Sequence, residues 1–480
     1  MYKFYPVPEK PSELYSIQIG GEAVPANPCR VSAIPFNVVW PGHQRALEQT
    51  EEAAFLAFEA DGEITLKVKT NGPLKPLCAD TDIAIRPLSK GIKAAVAGDT
   101  AEFTLPGPGQ YTFEPGGMNR ALHIFVDPPK DYGKKEGEGI IYYGPGVHDA
   151  GRIELKSNQT LYIDAGAIVY GGIIAEDAEN IRIVGRGILD NSKSVRGKDG
   201  GYTAGSGTPL GCIKMYRCKN VLADGVIFRD SGVWTATLFN CDCVTFDNIK
   251  AIGMWRYNSD GIDFVNSANG LVQNSFLRCF DDVIVLKGLK GYDTRNVENI
   301  LVRRCVTWCD WGRNLEIGAE TCADEYRNII FEDCDCIHGA HIMLDIQNGD
   351  RARVHNLIFD NIRCEYSKYQ LEPIYQGSED MKYEPKAEPF LPTLMYAHLY
   401  RGMWSKDMLF GENRDITFRN IQIIADPGLP APPSGFVGAE EEHKTHDIKI
   451  EGLYFNGKRL ETLEEARVSL GKYTENITIE

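Results

Sequence analysis

The residues best suited to carry chemistry lie in one short stretch of the chain. Asn258–Asp263 reads Asn-Ser-Asp-Gly-Ile-Asp, and the pair Asp281 and Asp282 follows one structural repeat later. Successive side chains of a strand point to opposite faces, so these two adjacent aspartates cannot both point outward from a regular strand. Either one is buried with a partner, or the backbone bends to present both. Clustered carboxylates on a concave face suit acid/base hydrolysis of a glycosidic bond.

These residues belong to a repeat that begins near residue 140 and continues towards the C-terminus. In each copy a polar or small residue precedes a short apolar strand, and the intervals are mostly in the twenties. The copies are Asn180–Ile183, Asn220–Leu222, Cys243–Phe246, Gly270–Val272, Asn299–Val302, Asn328–Phe331, Asn356–Phe359, Asp415–Phe418 and Asp447–Ile450.

Repeats of this size indicate stacked units, none of which can bury its apolar face alone. No copy shows the 3.6-residue apolar stripe of a helix, so the pattern predicts an all-β parallel β-helix over residues 131–480. The repeated asparagines are then expected to form an internal hydrogen-bonded ladder. Residues 1–130 alternate in polarity, as in Glu63–Val68, and predict a small antiparallel β-sandwich. The polar segment Pro128–Gly139 is interpreted as the connection.

The predicted fold brings the acidic motifs together. Adjacent coils of a parallel β-helix lie roughly 4.8 Å apart. Because Asp260 and Asp281 are about one coil apart in sequence, we expect them side by side. Two carboxylates that close cannot both ionise at low cost, so one pKa rises and that group can carry an acid proton at neutral pH.

The two motifs resemble those of inverting glycoside hydrolases of family 28, the polygalacturonases, and of the related dextranase and isopullulanase family. Those proteins, of the pectin-lyase-like superfamily, are right-handed parallel β-helices that carry Asn-Thr-Asp-Gly followed one coil later by Asp-Asp. Here Asn258–Asp263 and Asp281–Gly288 are similar to that pair, and Asp230–Trp234 and Ala165–Val169 resemble earlier family segments. The resemblance covers residues 140–365 and the terminal coils.

The resemblance implies roles for three aspartates. Asp281 would be the general acid, protonated at rest. Asp260 and Asp282 would stay ionised and hold the attacking water. The implied reaction is a single-displacement hydrolysis of an oligosaccharide or polysaccharide with inversion, and it needs no cofactor and no metal.

Two departures from the family bear on the substrate. Gly312–Gly318 stands where polygalacturonases have Gly-His-Gly, and His341–Gln347 stands where they have the Arg-Ile-Lys motif that binds galacturonate. We therefore expect hydrolysis, but not of ordinary polygalacturonate.

Further residues near the motifs are candidates for binding substrate. Arg313 could orient an aspartate or bind an acid group, with Glu316 as its partner, and aromatic faces stack well on sugar rings. Each also has a structural explanation, as an exposed arginine or a core tryptophan. The candidates are Asn258, Arg313, Lys287, Trp255, Arg256, Trp311, Glu316, His341 and Asp345. The aromatic insertion between Tyr366 and Gly411 is interpreted as a wall of the cleft or as packing over the last coils.

Composition excludes some classes of function. The net charge is −16 and there is no long basic run, so nucleic acid is not expected as a partner. No apolar run reaches membrane-spanning length, and the N-terminus lacks the apolar core of a signal peptide, so no membrane partner is expected. The chain has 13 cysteines, an odd number that favours reduced core thiols over disulfides or zinc, and hence a cytoplasmic protein. The oligomeric state stays open, a homo-oligomer included.

Two other functions remain alternatives. A β-helix polysaccharide lyase or uronate epimerase would need a base near the sugar C5 and a cation to neutralise a carboxylate. A non-catalytic glycan-binding or structural β-helix protein would need neither, and the three aspartates argue against it.

Overall fold

The structure is a computed structural model that describes residues 2–33, 37–39, 47–196, 207–376 and 388–480. Over these residues the chain forms β-strands and two short 3₁₀ turns, Leu47–Gln49 and Leu88–Lys90. No helix in this part of the chain is long and apolar enough to cross a membrane.

All the described N-terminal strands except Asn37–Val39 form two packed sheets. The strands are β1 Tyr2–Phe4, β2 Tyr15–Ile19, β3 Glu22–Val24, β4 Asn27–Ser32, β5 Asn37–Val39, β6 Thr50–Ala60, β7 Ile64–Thr70, β8 Ile83–Arg86, β9 Ala95–Ala97, β10 Thr100–Leu105, β11 Gly109–Pro115 and β12 Leu122–Asp127. One sheet has the order β1-β6-β12-β11-β8, with β4 beside β6, and the other has the order β3-β2-β7-β10-β9.

Strands in which buried and exposed residues alternate form the core of this β-sandwich. In β7 every second residue is buried, and Leu66 and Val68 face Phe58 and Phe113 of the other sheet within one apolar cluster. Burial of each such side chain stabilises the fold by roughly 1.5–3 kcal/mol. The predicted sandwich is confirmed with one departure, since β12 runs parallel to β6 rather than antiparallel.

The described strands after Asp127 form one continuous coil, except that Ile374–Gln376 pairs with Asn37–Val39 outside it. They are β13 Ile140–Tyr143, β14 Gly146–Leu155, β15 Thr160–Ile163, β16 Ala167–Glu176, β17 Glu179–Gly185, β18 Ile188–Asp190, β19 Ile213–Tyr216, β20 Lys219–Asp224, β21 Ile227–Arg229, β22 Ala236–Phe239, β23 Asp242–Asp247, β24 Lys250–Ile252, β25 Ile262–Val265, β26 Ala268–Gln273, β27 Phe276–Cys279, β28 Ile284–Gly288, β29 Val297–Arg303, β30 Val306–Cys309, β31 Arg313–Thr321, β32 Glu325–Glu332, β33 Asp335–His338, β34 Ile342–Asn348, β35 Arg353–Asp360, β36 Arg363–Tyr366, β37 Ile374–Gln376, β38 Thr393–Leu399, β39 Glu412–Asn413, β40 Ile416–Ala425, β41 Ser434–Val437, β42 Thr445–Phe455, β43 Lys458–Leu460, β44 Val468–Leu470 and β45 Thr474–Ile479.

Successive coils pair in register and in parallel. β25 pairs with β28, β28 with β31 and β31 with β34, so each coil supplies one strand to each of three faces. Identical side chains stack along the interior, as in the ring pairs Phe331–Phe359 and Phe359–Phe418, whose centroids lie 4.9 and 5.0 Å apart. The predicted right-handed parallel β-helix is confirmed. The sandwich ends at Asp127 and the β-helix begins at Ile140, on either side of the boundary predicted at residue 130.

The asparagine ladder exists but lies at an exposed corner rather than inside. Asn299, Asn328 and Asn356 have φ between 50° and 56°. The amide of Asn356 donates to Asn328 at 2.6 Å, and that of Asn328 donates to Asn299 at 2.9 Å. Asparagine tolerates left-handed backbone well, which explains its recurrence at the corner where each coil turns.

The cysteines are all free, and eleven of the thirteen are buried. Cys78 and Cys243 are exposed. Although only one residue separates them, Cys241 is buried in the core, whereas Cys243 occupies a ladder corner with φ of 55°.

The sandwich packs against the side of the β-helix. Phe55 and Phe125 contact Phe276 within an apolar cluster that includes strands of both parts. Buried ion pairs join the same surfaces, among them Lys250 with Asp127. A sheet of the β-helix that does not face the sandwich is therefore free to carry a site.

Candidate active site

The site lies on the outer surface of the sheet formed by β22, β25, β28, β31 and β34. In this sheet Ile262, Ile284 and Leu315 point into the interior core. The residues that follow them, Asp263, Val285 and Glu316, are paired in register and point outward. Strand periodicity therefore places Asp263 and Glu316 in one outward row, with Val285 between them.

The catalytic candidates occupy the turns that lead into these strands. Asp260 precedes β25, and Asp281 and Asp282 lie between the end of β27 and the start of β28. The turn is held by backbone hydrogen bonds, with Gly261 N–H donating to Asp282 O at 2.8 Å. The bend anticipated for the Asp281–Asp282 pair is present, so both side chains reach the same side of the sheet.

Lys287 is the centre of the carboxylate cluster. Its Nζ lies 3.6 Å from Asp260 Oδ2, 3.4 Å from Asp282 Oδ2 and 3.5 Å from Glu320 Oε2. Burial acts to lower the pKa of Lys287, but Glu320, Asp282 and Asp260 outweigh it and raise that pKa. Lys287 is therefore a permanent cation shared by three carboxylates.

A bulge in β31 supplies Glu320, which the sequence analysis did not identify. Leu286 pairs with Ile317, whereas Gly288 pairs with Thr321, so Lys287 opposes the three residues 318–320. Bulges often re-aim side chains beside active sites. The sequence signal for this one is weak, a single glycine, Gly318, inside a strand; its φ is 109°.

Arg313 is the second cation of the site. Its guanidinium lies 3.7 Å from Asp282 Oδ1 and 3.5 Å from Asp345 Oδ2, and Nε lies 4.0 Å from Glu316 Oε1. Its backbone N–H also donates to Asp282 Oδ1 at 3.2 Å. The anticipated pairing with Glu316 is therefore long, and the shorter ion pairs are those with Asp282 and Asp345.

The two adjacent aspartates differ in protonation. Burial, followed by the charge of Asp282, raises the pKa of Asp281 to about 7, although Arg313 acts to lower it. Burial acts in the same direction on Asp282, but Lys287 and Arg313 outweigh it and hold the pKa of Asp282 below its usual value. At neutral pH Asp281 can therefore carry a proton while Asp282 is ionised.

The surroundings of Asp260 oppose the ionised state that the family resemblance implies for it. Burial, followed by the charge of Asp263, raises the pKa of Asp260 well above its usual value despite Lys287. Burial likewise raises the pKa of Glu316, and it raises that of Asp345 to about 7. Burial therefore favours the protonated forms of these three carboxyls.

The cleft above the cluster is lined by some of the predicted residues and not by others. Asn258, Lys287, Arg313 and Glu316 line it together with the three aspartates, and Trp234 and Trp404 add aromatic surface. Asp345 is fully buried below Arg313.

Trp255 and Arg256 do not line the cleft, which corrects their assignment as substrate-binding residues. Both are buried, and Arg256 donates to the carbonyl oxygens of Ser194 at 3.1 Å and Ser192 at 2.9 Å. Arg256 also lies 3.4 Å from Asp230. These contacts fix the loop that carries Asn258, so the two residues support the site from below.

Trp311 and His341 belong to an aromatic stack at the edge of the site. The rings of Phe280 and Trp311 are stacked at 6.3 Å, and His341 meets Trp311 edge-on at 4.8 Å. Burial and Arg313 lower the pKa of His341 to about 3, so its ring is neutral. Phe280, the residue before Asp281, and Trp311 are both buried in this stack.

The aromatic insertion is partly regular and partly a wall of the cleft. Thr393–Leu399 is the strand β38, paired with β34, and Tyr383 lies outside the described residues. Trp404 reaches the cleft from the following segment. Asp350 anchors that segment by accepting hydrogen bonds from the N–H groups of Lys406 and Asp407 at 2.6 and 2.9 Å.

One group of possible metal ligands lies beside that anchor. Donor atoms of Cys322, Asp350 and Asp407 are within 4.8 Å of one another. Asp350 also accepts from Thr321 N–H at 3.0 Å, and Arg351 pairs with Asp407 at 2.7 Å. These bonds explain the group as the attachment of the Trp404 segment.

Gly312 lies where its turn approaches the turn that carries Asp281 and Asp282, so there is no space for a side chain. A Cβ at this position would lie 2.4 Å from Asp282 Oδ1 and 2.7 Å from Asp281 Oδ1. We expect Gly312→Ala to displace both carboxyls and lower kcat/KM by about 10²-fold, since a 1 Å misplacement can cost that much. Gly62→Ala, where an added Cβ meets nothing within 4 Å, is the matched control. Equal activity of the two variants would contradict this requirement.

Comparisons with known proteins add a structural likeness. No protein-family model matches the chain, and no curated protein matches its sequence. Dex49A from Penicillium minioluteum superposes with a TM-score of 0.60 and 13% identity, over 100% of this chain and 95% of that one. An exopolygalacturonase from Thermotoga maritima gives 0.48 and 19%, over 71% and 83%. A family 28 exopolygalacturonase from Yersinia enterocolitica gives 0.49 and 14%, over 87% and 96%. The likeness to Dex49A confirms the fold.

Proposed function

We propose that the protein is an inverting glycoside hydrolase whose active site is the Asp260–Asp281–Asp282 cluster. The observation that carries the proposal is the unequal surroundings of two adjacent aspartates, since Lys287 and Arg313 lie 3.4 and 3.7 Å from Asp282 while Asp281 is buried beside that carboxylate. Burial and Asp282 raise the pKa of Asp281 to about 7, while Lys287 and Arg313 hold the pKa of Asp282 low. Carboxyl groups whose environments separate their pKa values are suited to act as an acid and base pair.

In this proposal each residue of the site has a separate role in the reaction. Asp281 gives its proton to the glycosidic oxygen as the bond to the anomeric carbon breaks. Asp282, ionised beside Lys287, and Asp260 orient a water and accept its proton as the new bond forms. Lys287 and Arg313 stabilise the negative charge of the water-holding carboxylates. Inversion follows from attack by water on the face opposite the leaving group.

The lyase alternative is less compatible with the charges. Elimination next to a uronate needs a cation that is available to neutralise the substrate carboxylate. Lys287 already contacts three carboxylates, and Arg313 has ion pairs with Asp282 and Asp345 at 3.7 and 3.5 Å. A non-catalytic glycan-binding role would leave the separated pKa values of Asp281 and Asp282 without a use.

The charge of the cleft predicts a neutral glycan as substrate. Its lining contains two cations, Lys287 and Arg313, and each already lies within 4.0 Å of three carboxyl groups. A substrate carboxylate would have to compete with these groups for a cation, which costs binding free energy. We expect neutral oligosaccharides to be cleaved and polygalacturonate to be resistant.

A panel of neutral glucans and galactans, each paired with a carboxylated form of the same linkage, tests both function and charge preference. The measurements are the release of reducing ends and the anomeric configuration of the first product by proton NMR. Cleavage of a neutral member with inversion is the expected result. Cleavage of polygalacturonate would overturn the charge argument, and an unsaturated product absorbing in the ultraviolet would favour the lyase. Binding without new reducing ends would favour the glycan-binding protein.

A further inference from the structure

A fourth aspartate of the acidic motif has no part in the reaction described above. Asp263 lies in β25 and is fully buried. It points outward, because its neighbours Ile262 and Phe264 point into the interior core. Its register partners on the adjacent coils are Thr237 and Val285, neither of which carries a charge.

Within the described part of the chain, Asp263 lacks the partners that a buried carboxylate needs. Neither of its carboxyl oxygens has a hydrogen-bond donor, and Oδ1 of Asp260 has none either. An ionised carboxylate in such a position is costly, and a proton is the usual remedy. One proton held between Asp260 and Asp263 would supply a donor to both.

The charges that face Asp263 come from several elements. Burial raises the pKa of Asp263 well above its usual value, and Asp282 and Glu320 act in the same direction, whereas Lys287 of β28 and a hydrogen bond with Asp260 act to lower it. Lys214 of β19 lies in the same outward row, one coil beyond Thr237, and burial lowers the pKa of Lys214 itself. Lys287 lies 3.6 Å from Asp260 Oδ2 and is shared with Asp282 and Glu320, so its charge favours ionisation of Asp260 rather than of Asp263.

We propose that Asp263 is a positioning residue that retains a proton throughout and donates it as a hydrogen bond to Asp260, so that Asp260 is ionised and can hold the attacking water. The inference rests on the proposed hydrolysis. It reconciles the environment of Asp260, which disfavours its charge, with its role beside the water. In the reaction the water proton passes to the Asp260–Asp282 pair and the Asp281 proton passes to the leaving oxygen. The proton of Asp263 is not consumed.

Two substitutions at one position separate this role from a structural one. Asp263→Asn keeps the shape and an N–H donor towards Asp260, so kcat should stay within a few-fold of wild type. Asp263→Leu removes the donor, and kcat should fall by about 10²-fold, the lower range for loss of acid/base function. The acidic limb of the pH profile should move to higher pH in Asp263→Leu, because Asp260 loses the hydrogen bond that favours its ionised form. Melting temperatures should be unchanged or higher, since an apolar residue replaces a buried polar one.

Two results would overturn the proposal. If Asp263→Asn is as impaired as Asp263→Leu while both fold, Asp263 acts as a carboxylate. If both variants are as active as wild type, Asp263 has no role.

An infrared difference spectrum of wild type minus Asp263→Asn at neutral pH decides the protonation without any substrate. Loss of a carboxylic-acid carbonyl band is expected, and loss of a carboxylate band would contradict the inference. This measurement stands even if no glycan in the panel is cleaved, so failure of the proposed function and failure of the inference are distinguishable.

Discussion

Asp281→Asn should lower kcat by about 10²–10⁴-fold, the usual contribution of a general acid. Asparagine has nearly the same shape as aspartate but cannot transfer a proton to the leaving oxygen. Binding should change little, because the substitution removes a step in the transition state rather than a contact with the ground state. The measurement is steady-state kinetics on whichever neutral glycan the panel identifies, with protein folding checked by circular dichroism.

The pH profile gives this prediction a second signature. A general acid must be protonated, so wild-type kcat/KM should fall as pH rises through about 7, the pKa to which burial and Asp282 raise Asp281. It should fall again at acidic pH, where the water-holding carboxylates Asp260 and Asp282 take up a proton. These apparent values belong to the coupled cluster rather than to single residues. In Asp281→Asn the alkaline limb should disappear from the residual activity.

A matched control is Asp324→Asn in the same β-helix, where the aspartate side chain is 76% exposed. It should leave activity and the pH profile unchanged. Near-normal turnover of Asp281→Asn would remove Asp281 from the reaction. A product that retains its anomeric configuration would replace the single displacement with a covalent intermediate.

The parts of the fold that repeat were predictable from sequence, because one short pattern is enforced in every coil. The polar corner residue and the apolar strand after it recur from Asn180 to Asp447. The position of the asparagines was not predictable from that pattern. Asparagine suits both a left-handed corner and an interior ladder. The backbone dihedral angles in the structure distinguish these two positions.

Within the site, nearness in sequence predicted some residues of the cleft correctly and others incorrectly. Asp260, Asp281 and Asp282 were predictable because coil spacing brings them together. Trp255 and Arg256 are just as near in sequence, but they do not line the cleft. Arg256 is directed instead towards the carbonyl oxygens of Ser192 and Ser194, to which it donates hydrogen bonds.

The missed residues depend on irregular backbone. Glu320 reaches Lys287 through a bulge, and Trp404 reaches the cleft from a segment that Asp350 attaches to the β-helix. A regular repeat carries no information about such departures.

Lys287→Met should have the largest effect on stability. Methionine keeps the apolar stem of the side chain but leaves Asp260, Asp282 and Glu320 without the cation that lies 3.4–3.6 Å from each. Removing one partner from a buried ionic group typically costs about 3–5 kcal/mol. We expect a loss of that size in the free energy of unfolding at neutral pH, measured by urea denaturation. Activity should also be lost, because Asp282 would no longer be held ionised.

The stability loss should depend on pH in a defined direction. In wild type the pKa of Asp282 is lowered, so its contribution to stability is present above the unfolded pKa and is lost as pH falls through the folded value. Without Lys287 the buried carboxyls would bind protons more tightly in the folded state than in the unfolded state, and stability would rise as pH falls. The difference between wild type and Lys287→Met should therefore shrink from pH 8 to pH 5. Lys290→Met, at an exposed position three residues further on, is the control and should change stability by no more than about 0.5 kcal/mol. A difference that stays constant with pH would show that lost packing, not lost charge, destabilises Lys287→Met.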